Sequence, residues 1–70
     1  MNITIRDGEE FIRLGQALKK AGAVGSGSDA KMVILNKEVK VNGETEERRG
    51  RKLYPKDTIS FQGETYQIIK

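Results

Sequence analysis

Past Asn36 the hydrophobic period of this chain falls to two, and Val39-Lys40-Val41-Asn42-Gly43 joins that alternation to the residue pair a type I′ turn favours. Val39 and Val41 point to one face of a strand and Lys40 to the other, so a β-hairpin with Glu44-Thr45-Glu46 as its return arm is expected here. Only 70 residues, 36% of them hydrophobic, are available to cover it. That supports one domain, residues 1–70, with one modest core, and leaves little room for a deep substrate cavity with a catalytic apparatus.

Cysteine and histidine are both absent. Their absence removes disulfides, thiolate nucleophiles, Cys/His zinc sites and the usual neutral-pH general base. The acids Glu44, Glu46 and Glu47 lack the spacing of a metal-ligand set. The expectation is a non-enzyme without cofactor, metal or small-molecule substrate, held together by packing alone. No apolar run reaches the length of a membrane span, and Met1-Asn2-Ile3-Thr4-Ile5-Arg6-Asp7 lacks the basic-then-apolar order of a signal peptide. A soluble cytoplasmic protein that does not engage membranes is therefore expected.

Upstream of the hairpin, residues 3–6 alternate as a short half-buried strand does, and Asp7-Gly8 ends it. Asp7 and Glu10 approximate a capping box, after which Phe11, Leu14, Leu18 and Ala21 recur at helical spacing. This predicts a helix whose stripe faces the core and leaves Arg13, Gln16, Lys19 and Lys20 toward water. Gly22 suits a left-handed C-cap. Gly25-Ser26-Gly27-Ser28 reads as a helix–helix connection, because neither flank could bury a core alone; Ser26 or Ser28 caps a second helix with Ala30, Val33 and Ile34 on its inner face.

Downstream, Tyr54-Pro55-Lys56-Asp57 reads as a turn, with type I favoured because type II wants Gly or Asn where Lys56 stands. Thr58-Ile59-Ser60-Phe61 and Thr65-Tyr66-Gln67-Ile68-Ile69 alternate around Gln62-Gly63-Glu64 as a second hairpin. Phe11, Phe61 and Tyr66 are assigned to the core. The order of elements predicts an α+β domain, two short helices packed on one side of a small, mainly antiparallel sheet.

The net charge of +3 is patterned rather than large. Acids lead the chain (Asp7, Glu9, Glu10), whereas Arg48-Arg49-Gly50-Arg51-Lys52 gathers four cations in a glycine-hinged loop. Three of the four are arginine, whose planar fork matches phosphate, and Gly50 lets the backbone approach a ligand closely. Exposed pairs with Glu44, Glu46 and Glu47 would be worth only about 0–1 kcal/mol each. Such a ledge suits a phosphate backbone. Arg13, Lys19, Lys20 and Lys31 would extend it across the helices, and Lys40 and Asn42 in the hairpin complete the candidate RNA-binding set. Tyr54 either stacks on an unpaired base or packs on the sheet edge.

Taken in order, Phe11-Ile12-Arg13-Leu14-Gly15-Gln16-Ala17-Leu18-Lys19, Gly22-Ala23-Val24, Ser26-Gly27, Ala30-Lys31, Val39-Lys40-Val41-Asn42-Gly43-Glu44 and Arg48-Arg49-Gly50-Arg51-Lys52-Leu53 resemble the small stand-alone bacterial RNA-binding proteins of the YbcJ/YaaA type, which are variants of the S-four RNA-binding domain. The likeness runs from about Ile3 to the C-terminus. It implies the αL motif, two short helices and a β-hairpin segment presenting one face to structured RNA, with no catalytic domain attached. Three positions depart from the family pattern. Ser26 is followed by Gly27 where many relatives carry arginine, so Lys31 would supply that charge. Asn36-Lys37 replaces a glycine ahead of the hairpin, so one of the two takes φ > 0, which asparagine tolerates better. Lys56 stands where a glycine often precedes the turn's aspartate.

The expected function is that of a monomeric, non-catalytic module that binds structured RNA through shape and phosphate contacts. Ribosomal RNA and tRNA are the partners the resemblance implies. The alternative is a protein-interaction adaptor that docks an acidic partner through the same surface.

Overall fold

The period-two segments of the second half become the sheet. The computed structural model describes all 70 residues, Met1–Lys70. The elements are β1 (Asn2–Thr4), β2 (Ile12–Arg13), α1 (Leu14–Lys20), α2 (Gly27–Leu35), β3 (Val39–Val41), β4 (Glu44–Thr45), β5 (Lys52–Leu53), β6 (Thr58–Phe61) and β7 (Glu64–Ile69). Five strands form one sheet in the order β1-β7-β6-β3-β4; β1 lies parallel to β7 and every other pairing is antiparallel. β2 and β5 form a separate two-stranded antiparallel pair. This is the α+β architecture the sequence predicts, two helices with a mainly antiparallel sheet.

Both hairpins turn on residue pairs with positive φ: Asn42 at +52° with Gly43 at +86°, and Gln62 at +49° with Gly63 at +80°. These are the signs a type I′ turn needs, and they match the right-handed strand twist. Asn42 does more than turn the chain. Its Nδ2 donates to Asp57 Oδ1 at 3.1 Å and its Oδ1 accepts from the Thr58 amide at 3.0 Å, stitching the hairpin tip to the start of β6.

Alternation along the strands gathers Val39, Val41, Ile59, Phe61, Tyr66 and Ile68 into one core with Leu14, Ala17 and Leu18 of α1 and Ile34 of α2. Ile3, Ile5, Ile12 and Leu53 complete it. Each fully buried Leu or Ile stabilises the fold by about 1.5–3 kcal/mol, which is how so short a chain dispenses with covalent cross-links. Phe61 and Tyr66 are core residues, as predicted.

Phe11 is not. The first helix begins at Leu14 instead of following Asp7, with Arg13 as its N-cap and no side-chain capping bond. Gly8 takes φ +86° and the chain runs extended through Ile12 and Arg13, which pair with Leu53 and Lys52. In extended backbone neighbouring side chains alternate. Ile12 therefore goes inward, only 5% exposed, and Phe11 is turned to the half-buried margin.

The helix ends follow the expected capping logic with one exchange. Ser26 caps α2, its Oγ accepting from the Asp29 amide at 3.1 Å. α1 closes in a Schellman motif, with Ala23 N–H bonded to Leu18 O, Gly22 N–H to Lys19 O, and Gly22 left-handed at φ +73°. α2 closes the same way, through Glu38 N–H to Val33 O and Lys37 N–H to Ile34 O. Asn36 is its C-cap at φ −78°, so the left-handed position falls on Lys37 at φ +62°. Helix register thus overrides the local preference for asparagine. The turn after Tyr54 is also exchanged: Lys56 has φ +82°, the sign of type II rather than type I. Tertiary bonds decide this, since the Lys56 amide donates to Ile68 O and the Ile68 amide to Asp57 O.

Candidate nucleic-acid interface

A helix that starts without a side-chain cap leaves orphan N–H groups, and here the basic loop supplies the missing acceptors. Leu14 N–H donates to Arg51 O and Gly15 N–H to Arg49 O, each at 2.9 Å. The approach is close enough that a Cβ on Gly15 would lie 2.6 Å from Arg49 Cγ and 3.2 Å from Cδ. Gly15 is thus the residue that lets the loop dock. Arg13 Nη1 donates to Gly50 O at 2.8 Å, and Arg51 N–H closes a turn on Arg48 O.

Beneath the loop lies Glu46, 6% exposed and the one buried charged residue. Its Oε2 accepts from the Arg48 amide at 3.1 Å and from Arg48 Nε at 2.9 Å. Its Oε1 accepts from Arg48 Nη2 at 3.1 Å and Arg51 Nη1 at 2.8 Å. The hydrogen bond from Arg48 is the largest of the effects that lower the Glu46 pKa to about 2; burial opposes it, and Arg51, the Arg48 amide and the Arg48 charge add to it. The carboxylate therefore stays ionised and fixes two arginines at once. The expectation of weak exposed pairs from Glu44, Glu46 and Glu47 is corrected on both counts: only Glu46 pairs with the loop, and it is buried. A signal for this existed in the hairpin register. Lys40 faces Thr45, which sets Glu46 opposite Val39 on the inward face.

The surface above this anchor is a continuous basic track. Arg13, Arg48, Gly50, Arg51 and Lys52 line an open basin of about 580 Å³. Arg13 and Gly50 also border an adjoining groove of about 360 Å³, which runs past Gln16, Lys19 and Arg49 to Gly27 and Ala30 at the start of α2. At the other margin Lys52 Nζ lies 4.9 Å and the Arg13 guanidinium carbon 5.5 Å from the Phe11 ring centre. Tyr54, 46% exposed, tilts against Phe11 with ring centres 6.0 Å apart.

Six of the sequence-predicted residues therefore meet on one track: Arg13, Lys19, Arg48, Arg49, Arg51 and Lys52. Four do not. Lys20 donates to Thr4 O on β1 and lines a different groove with Arg6 and Glu9, one that Lys19 also borders. Lys31 and Lys40 are exposed but line neither the basin nor its groove. Asn42 is committed to Asp57 and Thr58. Sequence reasoning missed Gly15, Glu46 and the placement of Phe11. No helix is long and apolar enough to cross a membrane.

Known proteins resemble this chain in sequence and in fold. A family model described as "S4 domain" matches residues 3–69. The chain is 44% identical over 61 residues to the "Probable ribosome maturation protein RlbA" of Bacillus subtilis, covering 86% of each chain. It is 36% identical over 58 residues to the "Putative RNA-binding protein YbcJ" of Escherichia coli, covering 83% of each. The solution structure of YbcJ from Escherichia coli, described as revealing an αL motif involved in RNA binding, superposes with a TM-score of 0.71 at 30% identity, over 99% of this chain and 86% of that one.

Proposed function

The chain belongs to the S4 domain family, and from that premise we propose that it is a monomeric, non-catalytic module that binds structured RNA through residues 48–52 and the start of α1. The observation that carries this is the Glu46 anchor. The Arg48 side chain is held by two hydrogen bonds, from Nε and Nη2, and remains 75% exposed. Such a cation meets a phosphate without first losing its rotamer freedom, a cost of about 0.5–1.5 kcal/mol for each long side chain immobilised on binding. Arg49, Lys52, Arg13 and Lys19 extend the positive track on either side.

Side chains cannot read the deep, narrow major groove of A-form RNA, so recognition proceeds through shape, phosphates and 2′-hydroxyls. The likeness to a ribosome maturation protein favours ribosomal RNA as the target. Crosslinking and sequencing of RNA bound to the tagged protein in its native cells tests this, with Arg48, Arg49 and Arg51 all replaced by alanine as control. Enrichment of a structured ribosomal segment, lost in the variant, is the expected result. Partners that survive nuclease treatment and still depend on these arginines would replace RNA with an acidic protein.

A further inference from the structure

Tyr54 is a large aromatic left nearly half exposed in a chain with only four aromatic residues. Its exposure is not laxity. The Tyr54 amide donates to Asp57 Oδ2 at 2.7 Å and its carbonyl accepts from the Asp57 amide at 3.0 Å, so both backbone groups are fixed by one turn. Phe11 packs against the ring, tilted 54° to it. The same Phe11 ring carries Lys52 Nζ and the Arg13 guanidinium. A partly exposed aromatic ring on a hydrogen-bonded turn and two cations are thus gathered around one shared ring, Phe11.

That pairing selects a ligand class. A phosphate alone needs the cations but not the ring, and an apolar peptide needs the ring but not the cations. A nucleotide uses both. We propose that Tyr54 is a stacking platform for one unpaired nucleobase whose phosphate is held by Lys52 and Arg13. The RNA taken by this module is then a duplex carrying a bulged or terminal unpaired nucleotide, placed so that the duplex backbone lies over Arg48 and Arg51. This inference rests on the RNA-binding function proposed above and names its substrate class.

The test uses the full chain and three hairpin RNAs with one stem sequence: fully paired, with a single-nucleotide bulge, and with that bulge abasic. Dissociation constants are read by fluorescence anisotropy, and the quantity of interest is the ratio between RNAs for each protein. The wild type is expected to prefer the bulged hairpin over both others by about 5- to 150-fold, the range of one base–aromatic stack. Tyr54→Phe should keep that preference, and Tyr54→Leu should bring the ratio toward one. A ratio unchanged in Tyr54→Leu, or equal wild-type binding of bulged and abasic hairpins, would overturn the stacking platform while leaving RNA binding intact. Failure of the wild type to bind any of the three would overturn the RNA-binding function itself, and the platform with it.

Discussion

Two sets of cations on this molecule carry the same charge and are held in opposite ways. Arg48 and Arg51 converge on the buried Glu46 carboxylate, and their loop is docked on α1 through the Leu14 and Gly15 amides. Lys31 and Lys40 are exposed on α2 and β3 and take part in none of the ion pairs. The anchored set gives up part of its charge to a carboxylate, which on bulk electrostatics should make it the poorer ligand for a polyanion. What it gains is order. Up to about 2 kcal/mol of rotamer entropy per long side chain is lost on folding instead of on binding. A buried acid within a basic loop is thus a positioning device.

The sharpest way to break this contrast is Glu46→Gln, which raises the net charge by one. Bulk electrostatics alone would then tighten RNA binding; loss of the anchor is expected to weaken it by about 5-fold or more. The same variant should lose about 2 kcal/mol of stability at pH 7, the scale of hydrogen bonds to charged groups. Glu46 has a folded pKa of about 2 against an ordinary 4.5, so its stabilisation is complete above pH 4.5 and is lost as pH falls toward 2. Urea midpoints of wild type and variant should therefore converge across that window.

Gly15→Ala tests the docking rather than the anchor. Alanine is about 1 kcal/mol better than glycine within a helix, but overpacking against Arg49 costs about 1–3 kcal/mol, so a net loss of about 1 kcal/mol is expected with weaker RNA binding. Adding Arg49→Ala removes the Cγ and Cδ contacts, and the next nearest atom, Arg49 O, lies at 3.6 Å, an ordinary van der Waals distance. In that background Gly15→Ala should become stabilising, and a sign that fails to reverse in thermal melts would locate the strain elsewhere. Lys37→Gly relieves a left-handed lysine outside the track. It should raise stability by about 1 kcal/mol and leave RNA affinity nearly unchanged. Smallest of all, Lys40→Ala should shift affinity by less than about 2-fold at physiological salt, where an exposed charge is well screened.

The strands of the five-stranded sheet, both helices, a serine cap at Ser26 or Ser28 and the Gly22 helix end were legible because each rests on local chemistry: a period, a hydroxyl before a helix, a glycine after one. The start of α1 was not. Phe11, Leu14 and Leu18 do fall at helical spacing, but Ile12 pairs with Leu53, forty-one positions away, and that pairing takes Phe11 out of the helix. Lys37 and Lys56 were misjudged for a related reason, since capping and tertiary hydrogen bonds set their φ against residue preference. Of the site, the sequence shows the basic run but not what orders it. Glu46 looks like one of three interchangeable acids until strand register turns it inward, and Gly15 looks like an ordinary helical glycine until the loop is laid across it.

The most direct measurement compares two charge-matched triple variants on one structured hairpin RNA: Arg48, Arg49 and Arg51 to alanine, against Lys20, Lys31 and Lys40 to alanine. Each removes three positive charges, and affinity is followed from low to physiological salt. The arginine triple should bind far more weakly, with its salt slope reduced by about 2 units, and the lysine triple should change that slope by well under one unit. Equal losses in the two variants would mean that net charge alone draws RNA to this protein, and the anchored loop would have no special part in binding.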